Sequence, residues 1–99
     1  MKDVFLVHFI LPEVIGPGFY ALIPKHRQRI QELLEKRILL SYALDMDRKN
    51  VWAVFQADGL REVRTLLSSL PIIQEVKVKI HELAFHDSAP ISLPGLIMN

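Results

Sequence analysis

The sequence contains no cysteine and only four glycines among its 99 residues. The absence of thiols excludes disulfides, thiolate catalysis and cysteine-ligated zinc or iron–sulfur centres. The chain also has no glycine-rich phosphate loop, no nucleophile elbow and no metal-binding motif. We therefore expect a protein that works without a cofactor and without a resident metal.

An excess of charge of one sign is missing too. Twelve basic and 11 acidic residues give a net charge of +1, which is not the electrostatic footprint of a nucleic-acid or anionic-membrane partner. No apolar run approaches the roughly 20 residues of a membrane span. Asp3, His8 and Glu13 interrupt the apolar N-terminus and no small-residue cleavage site follows, so we expect a strand and a cytosolic protein.

Apolar residues are abundant for so short a chain. They make up 51% of the sequence, and the mean hydropathy is +0.24. Ninety-nine residues form one domain, because there is no room for a second core. Spare apolar surface on a small domain needs a partner, and we expect that partner to be a second copy of the chain.

The first half of the chain is typical of a strand followed by a helix. Residues 3–11 are β-rich and almost entirely apolar, with His8 the only polar side chain inside the run. The helix that follows ends near Arg37 and carries its apolar stripe on Ile30, Leu33 and Leu34. Its start is open: Pro24 fits a first helical turn, but residues 19–22 also fit an earlier turn.

Residues 38–46 and 51–57 predict a β-hairpin with a turn at 47–50. The expected pairs are Asp45 with Trp52, Ala43 with Val54, and Ser41 with Gln56. Leu40 is expected on the opposite face, together with Tyr42 and Phe55.

The second half predicts a helix, a proline break and one long strand. Asp58 is a good N-cap, and Leu70-Pro71 ends the helix. From Gln74 the period changes to two, which puts Val78 on one face and Lys79 on the other. We place the folded domain at residues 1–87 and a C-terminal tail at 88–99, which either frays or docks on a neighbouring subunit.

The order β-α-β-β-α-β is the ferredoxin-like α+β plan with a four-stranded antiparallel sheet. From the right-handed crossover rule we expect strands 1 and 3 to be parallel neighbours, with strand 4 beside strand 1. Helices cover one face of the sheet. The open sheet face then carries Leu6, His8, Ile10, Ser41, Ala43, Trp52, Val54, Gln56, Lys79 and His81.

This open sheet face is too apolar for water and too polar for an ordinary core. Two such faces packed together would close a dimeric barrel with a half-polar interior, which is typical of a small-ligand pocket. The expected partners are therefore a second copy of the chain and a small molecule.

The segment 50–88 is similar to the C-terminal half of the muconolactone delta-isomerases. The matching features are Val54-Phe55, residues 67–71, residues 76–80 and residues 86–88, together with Leu11-Pro12 after the first strand. The resemblance implies a dimeric α+β barrel, often assembled into rings of dimers. It also implies a cofactor-independent proton shift within an unsaturated lactone, which needs a base and a donor that holds the enolate.

That family carries a carboxylate in the first turns of its first helix, where this chain reads Lys25-His26-Arg27-Gln28. The resemblance makes His26 the candidate proton shuttle, since imidazole titrates near neutral pH. Arg27 or Lys25 would clamp a substrate carboxylate, and His8 or His81 would donate to the developing oxyanion. Residues 39–43 lack the family's Trp and His, so the pocket should be larger or less aromatic.

Each candidate also has a structural interpretation. His8 fits a hydrogen-bonded core or interface histidine, and His26 a solvated helix residue. Trp52 is either a pocket wall or dimer-interface filler, while Gln56 and Ser41 either orient a carbonyl or satisfy the strand edge. His8 and His81 have no third ligand for a metal. Two functions stay open: a cofactor-free isomerase, or a non-catalytic relative that binds a small apolar acid or only assembles.

Overall fold

The computed structural model describes residues 2–90. Over that range the elements alternate in the order β-α-β-β-α-β, which confirms the predicted ferredoxin-like α+β class. A 3₁₀ turn at Ile73–Glu75 precedes the last strand. The bounds are β1 Asp3–Ile10, α1 Pro17–Glu35, β2 Leu39–Leu44, β3 Asn50–Ala57, α2 Leu60–Ser68 and β4 Lys77–Leu83.

The strands lie in the order β2-β3-β1-β4, and each neighbouring pair is antiparallel. The predicted neighbours are therefore right, but the expected parallel pairing of β1 with β3 is wrong. The crossover through α1 makes β1 parallel to β2, and these two strands are not adjacent. The hairpin then returns β3 between them, antiparallel to both.

The β2–β3 hairpin pairs two residues away from the predicted register. Ala43 lies opposite Trp52, and Ser41 lies opposite Val54. Because side chains alternate with a period of two, a shift of two residues keeps every side chain on its predicted face. The predicted partners are wrong, whereas the predicted faces hold between Ser41 and Leu44.

A bulge in β2 changes the faces at the start of the strand. Leu39 lies opposite Phe55, and the register shifts before Ser41, so Leu40 is the extra residue. Leu39 is consequently buried at 1% exposure, while Leu40 is 37% exposed. The expectation that Leu40 faces the helices is wrong, because the bulge gives that place to Leu39.

The hydrophobic core lies between the sheet and the two helices. Every second residue of β1 points into it, and the same alternation holds in β3. Burying each large apolar side chain stabilises the fold by about 1.5–3 kcal/mol. The buried cluster comprises Phe5, Val7, Phe9, Ile30, Leu33, Leu39, Val51, Ala53, Phe55, Ala57, Val63, Leu67 and Leu70.

The structure settles the open start of α1 and contradicts the predicted N-cap of α2. α1 begins at Pro17, which selects the earlier of the two predicted starts and places Pro24 inside the helix. The N-cap of α2 is Gly59 and not Asp58. Asp58 lies one residue too early, and its carboxylate instead forms an exposed ion pair with Lys2 at 3.3 Å.

Within residues 2–90, neither α1 nor α2 has the length and hydropathy that a bilayer span requires. The predicted docking tail at 88–99 lies outside the described residues from 91 onward. Phe85, just after β4, is 77% exposed, so the described part of the chain does not cover it.

Candidate functional site

The predicted site residues divide between the two faces of the sheet. His26 lies on α1, in the layer between the helices and the sheet, whereas His8 and His81 lie on the open sheet face. The backbone of the sheet separates the two groups. Within one chain, His26 therefore does not meet His8 or His81 at a common pocket.

His26 pairs with Tyr42 across the interface between α1 and β2. Its Nε2 lies 2.7 Å from the Tyr42 hydroxyl, and the two rings are tilted at 54°. The imidazole is buried, with only 4% of the residue exposed. The interpretation of His26 as a solvated surface residue is therefore wrong.

The sequence contains the reason for this burial. His26 is four residues before Ile30 and seven before Leu33, so a helix places it on the apolar stripe that packs on the sheet. Its neighbours Lys25 and Arg27 are exposed on either side of that stripe. Because basic residues lie on both sides of His26, the segment resembles a solvated helix face unless the spacing to Ile30 and Leu33 is considered.

Burial sets the charge state of the pair. Loss of hydration, assisted by the nearby Arg27 cation, lowers the pKa of His26 from 6.5 to about 4. Loss of hydration also raises the pKa of Tyr42 to about 12, and Arg27 opposes that rise. At neutral pH the pair therefore consists of a neutral imidazole and a neutral phenol.

One nitrogen of His26 is left without a partner. Nδ1 is buried and makes no hydrogen bond within the described residues. A buried polar atom in this state costs about 1–3 kcal/mol, and such atoms are uncommon in folded proteins. Nδ1 is thus the atom of the pair that has no described partner, and it can accept a proton in the tautomer in which Nε2–H donates to the Tyr42 oxygen.

The second histidine-centred group lies on the open sheet face. His8 stacks on Trp52 of β3, with ring centroids 5.1 Å apart and planes within 8°. Its Nε2 lies 2.8 Å from Oδ1 of Asn50. Asn50 in turn donates from Nδ2 to Oδ2 of Asp45 at 2.9 Å. These four side chains form a connected group at the β2–β3 turn end of the sheet.

The strand register places the remaining residues of the open sheet face. Lys79 lies directly opposite His8, and His81 lies opposite Leu6. His8 and His81 are therefore diagonal neighbours and not a direct pair. Among residues 2–90, no three His, Asp or Glu side chains are grouped to hold a metal ion.

Gln56 and Ser41 are not assembled with either histidine group. The side chain of Gln56 donates to the carbonyl of Arg37 at 2.8 Å, which holds the end of α1 against β3. Ser41 is exposed on the edge strand. For Gln56 this contact matches the interpretation that it satisfies the strand edge.

Two hollows of about 400 Å³ lie elsewhere on the described surface. One is between the end of α1 and α2, around Gln56 and Leu66, and the other is beside α2 and β4, around Arg64 and Ile80. Neither is lined by His26, His8 or Trp52. The charged side chains of the first hollow are Lys2, Lys36, Arg37 and Glu62, and neither hollow is lined by a histidine. We therefore take the two histidine groups as the candidate sites.

Sequence reasoning missed Tyr42 and Asn50 as partners of the histidines. Alternation did place Tyr42 on the helix-covered face, which is where the α1 stripe puts His26. Nothing in the sequence indicated that the two would meet, because that depends on the docking of α1. For Asn50 there was no signal beyond its place at the turn.

No protein-family model and no curated protein matches the chain. Among solved structures, the chain is similar to the crystal structure of a muconolactone isomerase, with a TM-score of 0.71 and 18% sequence identity. The match covers 90% of this chain and 96% of the other. At this level of identity the likeness establishes the shared fold over nearly the full length of both chains.

Proposed function

We propose that this chain is a cofactor-independent isomerase that moves a proton within a small unsaturated lactone or a related acid, with His26 as the base. The observation that carries the proposal is the buried His26–Tyr42 pair, in which Nδ1 of a neutral imidazole has no partner. The fold shared with a muconolactone isomerase supports the reaction class. By the resemblance, residues 25–28, which include His26, match the place where that family has its proton-carrying carboxylate.

The pair is suited to carry a proton between two carbons. Nδ1 of His26 takes the acidic C–H proton next to the lactone carbonyl, and the bonding electrons move into the enolate. Nε2–H then donates to the Tyr42 oxygen, which stabilises the imidazolium in a poorly hydrated site. While the enolate is held, the imidazolium exchanges its proton with solvent. Nδ1 then returns a proton to another carbon of the enolate, so the product takes up solvent hydrogen and the reaction consumes no co-reactant.

The low pKa of His26 keeps the imidazole unprotonated at neutral pH, so that it is available as a base. The same low pKa makes the imidazole a weaker base. Arg27 and Lys25 flank the histidine on the exposed sides of α1. We propose that these two cations bind the carboxylate of the substrate. A bound anion beside His26 would also oppose the effect of Arg27 and raise the basicity of the imidazole.

The proposal includes a homodimer formed through the open sheet face, with rings of dimers as a further assembly. Trp52 is 40% exposed on that face, where it stacks on His8 of β1 and lies opposite Ala43 of β2. A second copy would remove this surface from water. Sedimentation at micromolar concentration tests the point: a dimer is expected, and a monomer contradicts it.

The activity is tested by incubating the protein with muconolactone and related unsaturated lactones in heavy water. We expect deuterium uptake and isomer formation by NMR, and loss of both in His26→Gln, which keeps the side-chain polarity without a basic nitrogen. His86→Gln is the matched control, because His86 lies in the segment after β4 and not on α1. Uptake no faster than in buffer, or equal uptake in His26→Gln, refutes the proposal.

A non-catalytic function is the second candidate, and one observation favours it. His26 is 4% exposed, and neither described hollow reaches it. In that case the chain binds a small apolar acid or serves in assembly. Saturable binding of the lactones without deuterium uptake, unaffected by His26→Gln, identifies this function.

A further inference from the structure

The hydrogen bonds around His8 determine which of its nitrogens carries the proton. Asp45 is a carboxylate, so both of its oxygens accept. Oδ1 accepts from the backbone N–H groups of Lys49 and Asn50, at 2.9 and 3.1 Å, and Oδ2 accepts from Nδ2 of Asn50 at 2.9 Å. The amide of Asn50 is therefore oriented with its NH₂ group toward Asp45.

That orientation leaves Oδ1 of Asn50 facing His8. A carbonyl oxygen only accepts, so the 2.8 Å contact with Nε2 requires the proton to be on Nε2. In neutral His8, Nδ1 is then a bare acceptor. Nδ1 of His8 has no described hydrogen-bond partner. Among residues 2–90, the sole buried side-chain nitrogen or oxygen without a partner is Nδ1 of His26. Nδ1 of His8 is therefore not buried and keeps contact with solvent.

We propose that Asp45 and Asn50 are positioning residues that hold His8 in the Nε2–H form, so that the open sheet face presents a hydrogen-bond acceptor at Nδ1. Stacking on Trp52 fixes the plane of the ring. The group that this nitrogen accepts from is a hydroxyl, an N–H or an acidic C–H. The sequence-based role of His8 as a donor to an oxyanion is replaced by that of an acceptor.

This inference does not depend on the proposed chemistry at His26, because the sheet lies between the two histidines. It applies whether the open sheet face binds a small molecule or a second copy of the chain. The turn itself supplies the control, since the same hairpin carries a second carboxylate, Asp47, that is exposed and makes no described hydrogen bond to Asn50.

The substitution Asp45→Asn tests the inference by replacing one hydrogen-bond acceptor, Oδ2 of Asp45, with a donor. The oxygen of the new amide must accept from the two backbone N–H groups of Lys49 and Asn50, because an NH₂ group cannot. The NH₂ group of the new amide therefore takes the place of Oδ2 and faces Asn50. The Asn50 amide then turns over to offer its oxygen, and its NH₂ points at His8. Nε2 becomes an acceptor, and the proton moves to Nδ1.

The readout is the pair of imidazole ¹⁵N chemical shifts of His8 in the full-length protein. The measurement is made at about pH 8, above the ordinary histidine pKa of about 6.5. In the wild type we expect the Nε2–H form to dominate by about tenfold, the factor expected of one net hydrogen bond. In Asp45→Asn the Nδ1–H form should dominate by a similar factor, while Asp47→Asn and the signals of His26 should not change.

A folded Asp45→Asn protein that keeps the Nε2–H form overturns the inference. If that variant does not fold, Asn50→Ala provides the second test. It should abolish the slowly exchanging Nε2–H signal of His8 and mix the two forms, whereas an unchanged protected signal in Asn50→Ala overturns the inference equally.

Discussion

The buried imidazole of His26 should make the stability of this protein depend on pH in a way that one substitution removes. An ordinary histidine has a pKa near 6.5, and His26 has one of about 4 in the folded chain. Between those values the unfolded chain binds a proton that the folded chain does not. The free energy of unfolding therefore falls as the pH falls from about 6.5 to about 4.

The size of the effect follows from the two pKa values. Each pKa unit corresponds to about 1.4 kcal/mol, so the whole contribution is about 3 kcal/mol below pH 4. Carboxylates titrate in the lower part of this range. Between about pH 7 and about pH 5.5 the carboxylates contribute little, and the titration of His26 by itself should lower the free energy of unfolding by about 1 kcal/mol.

The assay is urea unfolding at both pH values, followed by circular dichroism and by the fluorescence of Trp52, the sole tryptophan. Protein concentration must be held constant, since association would shift the midpoint. In His26→Gln the pH dependence should decrease by about 1 kcal/mol, because glutamine does not titrate. His86→Gln should keep the wild-type dependence. If the free energy of unfolding depends equally on pH in the wild type and in His26→Gln, the reasoning is refuted.

Three further substitutions, two at the histidine groups and one just after α1, are tested by urea unfolding. Tyr42→Phe leaves both nitrogens of His26 without a partner and should lower the unfolding free energy by about 1–2 kcal/mol; no change would mean that the pair is not formed. Asp45→Ala removes three hydrogen bonds of the hairpin turn and should cost about 1–2 kcal/mol, against less than about 0.5 for Asp47→Ala. Arg37 has a φ of 59° after α1, so Arg37→Gly should stabilise by up to about 1 kcal/mol, and a loss of stability would contradict this.

The side-chain faces of the sheet could be predicted from the sequence because alternation is local. Phe5, Val7 and Phe9 had to be buried together, and His8 had to lie opposite to them whatever the pairing. The same argument placed Trp52 and Val54 on the open sheet face. These positions depend on the pleat of one strand and not on its partner.

What could not be predicted depends on more than one strand. The bulge at Leu40 arises from how the edge of β2 meets β3, and no residue type announces it. The parallel assignment of β1 and β3 failed because the crossover rule relates β1 to β2. The contact between His26 and Tyr42 depends on the docking of α1, which alternation does not describe.

The candidate site was predictable in its residues more than in its arrangement. His26 and His8 were both identified, but they were assigned to one pocket. Helical spacing put His26 on the core side of the sheet, while strand alternation put His8 on the other. Together, those two periodicities place the two histidines on opposite sides of the sheet from the sequence alone.

The bulge in β2 also indicates where the chain can change length. An edge strand pairs on one side only, so one added residue at Leu40 displaces a single side chain, and the pleat resumes at Ser41. β1 pairs on both sides, and inserting one residue there would exchange its two surfaces, sending His8 inward and Phe9 outward. Insertions and deletions among descendants of this chain should therefore collect in β2, while the residue count of β1 stays fixed.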